Sequence, residues 1–184
     1  MNSIETIPSP SILVRDARAE DMPVLQAIYA HHVLHSVATF EEVPPDLAEM
    51  HRRREEIVAR GFPYVVAEHE GVVEGYAYCN SFRLRSAYRY TVEDSVYVAP
   101  DAVGKGFGRA AMREVIGRAT ALGMRQMVAV TGDSPNSASI RMHESLGFHR
   151  EAVLHAVGFK FGRWVDGVIM QLALGEGDGT PPVR

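Results

Sequence analysis

The stretch that decides the fold is EDSVYVAPDAVGKGFGRAAM, residues 93–112. It begins with a carboxylate, Glu93, and continues in alternating apolar and polar residues, the pattern of a half-buried β-strand. Three glycines then lie within residues 104–108, and apolar residues at helical spacing follow them. The stretch therefore predicts a strand, a glycine-rich turn and a helix, in that order.

Three glycines are more than a plain strand-to-helix turn requires. One glycine supplies a positive φ at no steric cost, which is enough for such a turn. Three leave a run of bare peptide N–H groups at the positive end of a helix dipole, where a bulky anion can come close. We therefore expect the turn to hold a phosphate or pyrophosphate, with a plain turn as the alternative.

The sequence also narrows the kind of phosphate compound. The Walker pattern G-x-x-x-x-G-K-S/T is absent from the chain. Residues 106–111, GFGRAA, satisfy the dinucleotide fingerprint G-x-G-x-x-A, and Asp133 follows at about the distance of the ribose-binding acid. That fold needs repeated parallel strand–helix units, whereas a predicted antiparallel meander precedes this turn. A dinucleotide site is therefore the weaker interpretation.

Outward from this stretch, the sequence predicts one α+β (mixed α/β) domain over residues 11–174. The periodic patterns follow one another as strand, two helices, three strands, helix, strand, helix and two strands, which indicates a largely antiparallel sheet. The three consecutive strands include a hairpin around Glu70 and Gly71. We expect residues 1–10 to be a flexible lead-in, and the Gly- and Pro-rich tail, residues 175–184, to be disordered.

The composition argues against several other classes of protein. The chain has 184 residues and a formal net charge of -4, so no basic nucleic-acid surface is expected. Cys79 is the only cysteine, which rules out an intramolecular disulfide and a cysteine metal cluster and suits a reducing cytoplasm. The histidines show no metal-ligand spacing, so no metal is expected. The apolar runs are too short to cross a membrane, and no signal-peptide pattern opens the chain.

Residues 103–108, VGKGFG, resemble the central signature Gln/Arg-x-x-Gly-x-Gly/Ala of the GNAT acyltransferases, which bind acetyl-CoA. Val103 stands where that family has glutamine or arginine, so only the backbone contacts of the signature are expected. Further stretches resemble one branch of the family, the phosphinothricin-type L-amino acid N-acetyltransferases, which include methionine sulfone and sulfoximine acetyltransferases. They are TVEDSVYV, NSASIRMHESLGF, GFKFGRWVDGVIMQL and, more weakly, IYAHHVLHSVATFEEVP. The likeness runs in the family's order from about Val14 to Leu174.

The resemblance implies a GNAT fold with helices on both faces of the sheet and a splay between two neighbouring strands, at which acetyl-CoA binds as co-substrate. The pantetheine arm would run alongside the strand residues Val96, Tyr97 and Val98. The other implied coenzyme contacts are the amides of Gly104, Lys105, Gly106, Phe107, Gly108 and Arg109, and the side chains of Asn136 and Ser139. Glu93 and His143 are the implied acid–base pair, and this branch is commonly dimeric.

The residues themselves support part of this assignment. An amino acid arrives as an ammonium and must lose a proton before it attacks a thioester, and Glu93 can take that proton. The alternation places Glu93 on the same face of the strand as Tyr97, and that face need not be exposed to solvent. The backbone N–H of Val98 can donate to the oxyanion. The amine can attack the thioester directly, so no acyl-enzyme is required. The alternatives are a solvated charge at Glu93 and a structural role for His143.

The segment before the candidate base is rich in arginine. Arginines at positions 83, 85 and 89 would share one face if the segment were extended. A guanidinium binds a carboxylate through two parallel hydrogen bonds, so Arg83 and Arg85 are candidates to hold the α-carboxylate of an amino acid. An ordinary solvated edge is the alternative. The resemblance implies the same location for the carboxylate, and we expect Phe40 and Glu41, between the first two helices, to form part of the pocket wall.

The expected function is acetyl transfer from acetyl-CoA to the α-amine of a small L-amino acid or its analogue. One alternative is a GNAT enzyme that acts on a peptide N-terminus or an aminoglycoside. An aminoglycoside is polycationic and favours an acidic pocket, so the arginines argue against it. The other alternative is a non-catalytic sensor that binds acetyl-CoA and regulates a partner.

Overall fold

The computed structural model describes residues 11–132 and 138–182. Its strands are β1 (Leu13–Asp16), β2 (Tyr64–His69), β3 (Val72–Ser81), β4 (Thr91–Val98), β5 (Gln126–Gly132), β6 (His149–Lys160) and β7 (Arg163–Ala173). Its α-helices are α1 (Met22–His35), α2 (Leu47–Ala59), α3 (Phe107–Ala121) and α4 (Ala138–Ser145). None of the helices in these ranges combines the length and the apolar character that a membrane span requires. Two predictions, the flexible lead-in of residues 1–10 and the coenzyme contact of Asn136, lie outside the described residues.

The strands form one sheet in the order β1-β2-β3-β4-β5-β7-β6. In the described part of the chain, β4 and β5 are the parallel neighbours, and the other neighbouring pairs are antiparallel. The predicted α+β class, the largely antiparallel sheet and the meander of β2, β3 and β4 are confirmed. Glu70 (φ 50°) and Gly71 (φ 81°) form the β2–β3 turn, and such positive φ values give a two-residue turn the twist that its strands need.

β4 and β5 pair over a short distance and then separate. Their register ends at the pair Glu93–Val128, two residues after it begins at Thr91–Gln126. β4 nevertheless continues to Val98 and β5 to Gly132. The ends of both strands therefore leave the shared ladder, which confirms the splay that the resemblance implied.

Each face of the sheet carries its own hydrophobic core. α1 and α2 cover one face, where Leu25 and Tyr76 are buried. α3 and α4 cover the other face, where Met112 and Ile140 are buried. Burying a large apolar side chain of this kind contributes roughly 1.5–3 kcal/mol. The predicted placement of helices on both faces is confirmed.

The alternation along β4 divides its side chains between these two cores. Val92 and Val96 pack into the core under α3, so Asp94, which lies between them, points the same way. Tyr97 packs into the core under α1, and Glu93, four residues earlier, points to that face. Glu93 and Tyr97 thus share a face, as the sequence pattern predicted.

The glycine-rich turn brings α3 close to β4. Gly104 (φ 81°) and Gly106 (φ 96°) both adopt left-handed backbone angles, which residues with a Cβ adopt at a cost. Phe107 is the first helical residue, and its ring is buried in the core. A Cβ on Gly108 would lie 3.0 Å from Cγ2 of Val98. Two of the three glycines therefore serve backbone conformation, and the third serves close packing of helix on strand.

The chain beyond β7 folds back on the domain. Residues 175–182 form turns, in which Nη2 of Arg125 donates to Oγ1 of Thr180 at 2.9 Å. The domain boundary at residue 174 and the disorder of the tail stay predictions.

Candidate active site

The N-terminus of α3 presents peptide N–H groups at the protein surface. The N–H groups of residues 107–109 belong to the first helical turn and have no carbonyl partner inside the helix. The N–H of Lys105 instead donates to the carbonyl of Ala102 at 3.2 Å, so it is the one amide of the predicted set with a backbone partner in the turn. Gly104, Gly106 and Arg109 are exposed. A helix end of this kind suits a phosphate group, because the dipole and the free donors both favour a negative charge.

The free edge of β4 offers a second set of peptide groups. The N–H of Ala99 donates toward β3, to the carbonyl of Glu74 at 2.8 Å. Because peptide groups alternate along a strand, those of Val96 and Val98 point the other way, into the splay. Nε2 of His32 lies 2.9 Å from the carbonyl oxygen of Val98 and donates to it, because a carbonyl only accepts. This edge fits an extended, amide-bearing ligand such as a pantetheine arm.

Glu93 lies at the inner end of the splay. It is the last residue of β4 that pairs with β5, and its side chain is partly buried. Burial raises the pKa of Glu93, the charge of Asp94 raises it further, and the charge of Arg83 opposes the shift. A carboxylate with a raised pKa beside an open cleft is suited to act as a general base.

His143 pairs with Asp94 in the core on the opposite face of the sheet. Both side chains are 2% exposed, and Nε2 of His143 lies 3.0 Å from Oδ2 of Asp94. Nδ1 faces the carbonyl oxygen of Ser139 at 2.8 Å, so Nδ1 carries a proton. Burial lowers the pKa of His143, but the hydrogen bond and charge of Asp94 outweigh it, and the pKa is raised above its usual value. Nε2 faces the carboxylate of Asp94, so both ring nitrogens are engaged.

The structure consequently does not bring Glu93 and His143 together as an acid–base pair. Glu93 faces the α1 side of the sheet, whereas His143 belongs to α4 and is buried on the other side. Ser139 belongs to the same local network, since its hydroxyl lies 3.3 Å from Nδ1 of His143. The catalytic role of His143 stays a prediction, and its contacts favour the structural alternative.

Replacing His143 by alanine separates these two roles. We expect this variant to lose about 3–5 kcal/mol of unfolding free energy in urea, because it leaves Asp94 buried without its partner. The pKa of His143 is raised by folding, so the pair contributes its full stability below the unfolded-state pKa and loses it as the pH rises through the raised value. The double variant Asp94→Asn/His143→Ala should recover part of the loss. A single variant as stable as the wild type but inactive would instead support catalysis by His143.

The arginine segment is not extended, so the condition under which the three arginines would share one face is not met. Residues Ser86–Tyr88 form a 3-10 turn, and β4 begins only at Thr91. Arg83 stacks over the ring of Phe82, with its Cζ 5.1 Å from the centroid, and its charge lowers the pKa of Glu93. Arg89 instead lies over the ring of Tyr90. Arg83 is therefore placed near the candidate base, while Arg85 is exposed in the turn.

Phe40 and Glu41 lie in the loop between α1 and α2. Oε1 of Glu41 forms an ion pair with Nη1 of Arg53 at 2.7 Å. The charge of Glu41 also raises the pKa of Tyr97, after burial and the neighbouring tyrosines, which places Glu41 on the Glu93 side of the sheet. Phe40 is 41% exposed, so part of its ring is open to a ligand. Their role as pocket wall stays a prediction.

Several residues at or beside the site were missed in the sequence. Asp94 had a signal, because a carboxylate between Val92 and Val96 on an apolar strand face needs a buried partner. His32 and Lys160 had no such signal, since their partners lie far away in the chain.

Burial raises the pKa of Cys79 to about 12, so its thiol is not a nucleophile. Within residues 11–132 and 138–182, no three His, Cys, Asp or Glu side chains group to hold a metal ion.

Comparisons with known proteins identify relatives that are similar over most of this chain. The family described as Acetyltransferase (GNAT) family matches residues 26–148. The phosphinothricin N-acetyltransferase of Alcaligenes faecalis is 52% identical over 169 residues, 92% of this chain and 86% of that protein. The L-methionine sulfoximine/L-methionine sulfone acetyltransferase of Salmonella typhimurium is 42% identical over 163 residues, 89% of this chain and 95% of that protein. The crystal structure of a GNAT superfamily phosphinothricin acetyltransferase from Sinorhizobium meliloti, in complex with AcCoA, has a TM-score of 0.91 at 49% identity and covers 95% of this chain and 94% of its own.

Proposed function

The chain belongs to the acetyltransferase (GNAT) family, and we propose that it moves the acetyl group of acetyl-CoA to the α-amine of a small L-amino acid. The observation that carries this proposal is the position of Glu93 at the point where β4 and β5 separate. A ligand along the free edge of β4 has this carboxylate at its inner end. The names of two relatives support substrates of the phosphinothricin, methionine sulfone or methionine sulfoximine type.

The residues divide the work of binding and proton transfer between them. Acetyl-CoA supplies the acetyl group as a thioester. The N–H groups of residues 106–109 hold the diphosphate, and the free edge of β4 at Val96 holds the arm. Glu93 takes a proton from the substrate ammonium, directly or through a water molecule, and so frees the nitrogen to attack. The N–H of Val98 donates to the acyl oxygen as negative charge develops on it.

The substrate carboxylate binds on the Glu93 side of the sheet. Arg83 supports this because its charge already acts on Glu93, and Arg85 follows it in the same turn. A guanidinium that holds the carboxylate would leave the α-amine free to face the base. Phe40 and Glu41 complete the pocket wall and determine which side chain fits.

Release of free thiol from acetyl-CoA tests the proposal. The protein is mixed with acetyl-CoA and, one at a time, with phosphinothricin, methionine sulfoximine, methionine sulfone, unmodified L-amino acids, an aminoglycoside and a peptide with a free N-terminus. We expect turnover with at least one of the first three and none with the aminoglycoside. Tight acetyl-CoA binding without thiol release from any compound would favour the sensor alternative.

We further propose a homodimer, assembled in the cytoplasm through the hairpin of β6 and β7. β6 is the last strand of the sheet, and large apolar side chains remain exposed on this hairpin. They are Val153, Leu154, Val157, Phe159, Phe161 and Trp164. Exposed apolar surface concentrated in this way marks a protein–protein contact. The cytoplasmic location is supported by Cys79, which is unpaired and suits a reducing compartment. Light scattering should give the mass of two chains; the mass of one chain would refute the dimer.

A further inference from the structure

We propose that Lys160 is a positioning residue that fixes the crossing loop, residues 36–42, over the splay and thereby sets the affinity for the amino acid substrate. The inference rests on the proposed function, because it names a residue that shapes the same site. It concerns the loop that carries Phe40 and Glu41.

Lys160 is a buried cation whose donors are directed at the crossing loop. It lies at the end of β6 and is 3% exposed. Its Nζ donates to the carbonyl of Ser36 at 2.9 Å and to the carbonyl of Thr39 at 2.8 Å. Burial lowers the pKa of the ammonium, against the charges of Glu42 and Glu41. Because a buried charge is costly unless hydrogen bonds satisfy it, the lysine and the two loop carbonyls hold each other in place.

Two glycines let the crossing loop lie directly on the far side of the splay. A Cβ on Gly132, the last residue of β5, would collide with the carbonyl oxygen of Val37. A Cβ on Gly158 of β6 would lie 3.2 Å from the ring of Phe40. The backbone at Val37 and the ring of Phe40 therefore lie directly against β5 and β6. Lys160 fastens the loop at this position.

The crossing loop also contacts α1 and α2, on the other side of the splay from β5 and β6. Oγ1 of Thr39 lies 3.0 Å from the hydroxyl of Tyr29 in α1. Glu41 pairs with Arg53 of α2 at 2.7 Å. The loop thus spans from the α1–α2 side to β5 and β6, and Phe40 lies between the attachments at Thr39 and Glu41.

This arrangement has a specific kinetic consequence. A loop that is already held in its binding conformation does not lose further conformational entropy when substrate binds. Without the ammonium, the loop keeps its attachments to Tyr29 and Arg53 but loses the one to β6. The affinity for the amino acid should then fall, whereas the coenzyme contacts at α3 and β4 are untouched.

Lys160→Met tests the inference, because methionine keeps an apolar stem and removes the donors. We expect KM for the amino acid to rise about tenfold or more, with KM for acetyl-CoA and kcat within about twofold of the wild type. Hydrogen exchange of residues 36–42 should become at least about tenfold faster, with the β3 and β4 peptides unchanged. Arg163→Met, an exposed cation directly across the hairpin from Lys160, is the matched control and should leave all these values unchanged.

The outcomes separate the inference from the proposed function. An unchanged amino-acid KM, or equal rises in both KM values, in an otherwise active enzyme overturns the role of Lys160. A wild type that transfers acetyl groups to no amino acid overturns the proposed function, and unchanged hydrogen exchange in the variant then overturns the loop attachment by itself. If Lys160→Met does not fold, Lys160→Gln serves instead, since glutamine keeps part of the apolar stem and replaces the ammonium by an uncharged amide donor. A rise in the amino-acid KM alone supports the inference, and no rise overturns it.

Discussion

Replacing Glu93 by glutamine is expected to lower kcat by about 10²–10⁴-fold, the usual contribution of a positioned general base. Glutamine keeps the size and polarity of the side chain but cannot accept a proton from the substrate ammonium. Acetyl-CoA binding, measured by calorimetric titration, should change little, because the coenzyme contacts lie farther along β4 and at α3. The loss would thus be confined to the chemical step.

The pH dependence of wild-type activity tests the role of Glu93 independently. Because the pKa of Glu93 is raised, kcat/KM should fall on the acid side at a higher pH than an ordinary carboxyl would produce. Arg83 opposes this shift, so Arg83→Met should move the acid limb to still higher pH. Arg89→Met, which removes a cation stacked on Tyr90, should leave the limb in place. If Glu93→Gln keeps full turnover and the same acid limb of the pH profile, Glu93 is not part of the mechanism.

Stability measurements show whether the loss is catalytic. A carboxyl whose pKa is raised on folding costs stability once the pH exceeds its unfolded-state pKa, because the folded state disfavours the charge. Glu93→Gln should therefore keep or raise Tm at neutral pH. A lower Tm would attribute part of the lost activity to unfolding.

Replacing Gly106 by valine should weaken acetyl-CoA binding at least about 100-fold. Gly106 has a φ of 96° at the start of α3, and a valine there is strained and places a branched side chain beside the free N–H groups. Loss of two hydrogen bonds to a charged group, at about 1.5–3 kcal/mol each, accounts for such a decrease. Calorimetric titration with acetyl-CoA measures it.

The matched control is Gly123→Val at the other end of the same helix. Gly123 has a φ of 79° and open space around its missing Cβ, so the variant carries similar backbone strain away from the anion site. Both variants should lose roughly 1–3 kcal/mol of stability, but only Gly106→Val should lose coenzyme affinity. Wild-type affinity in Gly106→Val, or equal weakening in both, would refute the anion site at α3.

The parts of the fold that follow from local patterns could be predicted from the sequence. The Glu70–Gly71 turn, the three-strand meander and the glycine-rich start of α3 depend on neighbouring residues, so periodicity and turn chemistry indicate them. The splay came from the resemblance, because nothing in the composition of β4 or β5 shows where their pairing ends. The conformation of the arginine segment before β4 was left open, since the 3-10 turn at Ser86–Tyr88 leaves no periodic signal.

The site was predictable where one strand carries it and not where distant elements meet. The alternation of β4 placed Glu93 on the face of Tyr97. The same alternation carried a signal for Asp94 that was missed, and its partner His143 lies 49 residues later in the chain. Lys160 and Ser36 are separated by 124 residues, and a lysine near a hairpin turn ordinarily lies in solvent. Only the tertiary structure shows that this cation is buried.

The sheet consists of two parts that few backbone hydrogen bonds connect. β1–β4 on one side and β5–β7 on the other share a ladder only from Thr91 to Glu93. If acetyl-CoA binds along β4 as proposed, it would connect the two parts in the manner of an extra strand. Heat resistance should consequently follow the concentration of that compound in the cell, and starvation for it would leave the enzyme easier to unfold and degrade.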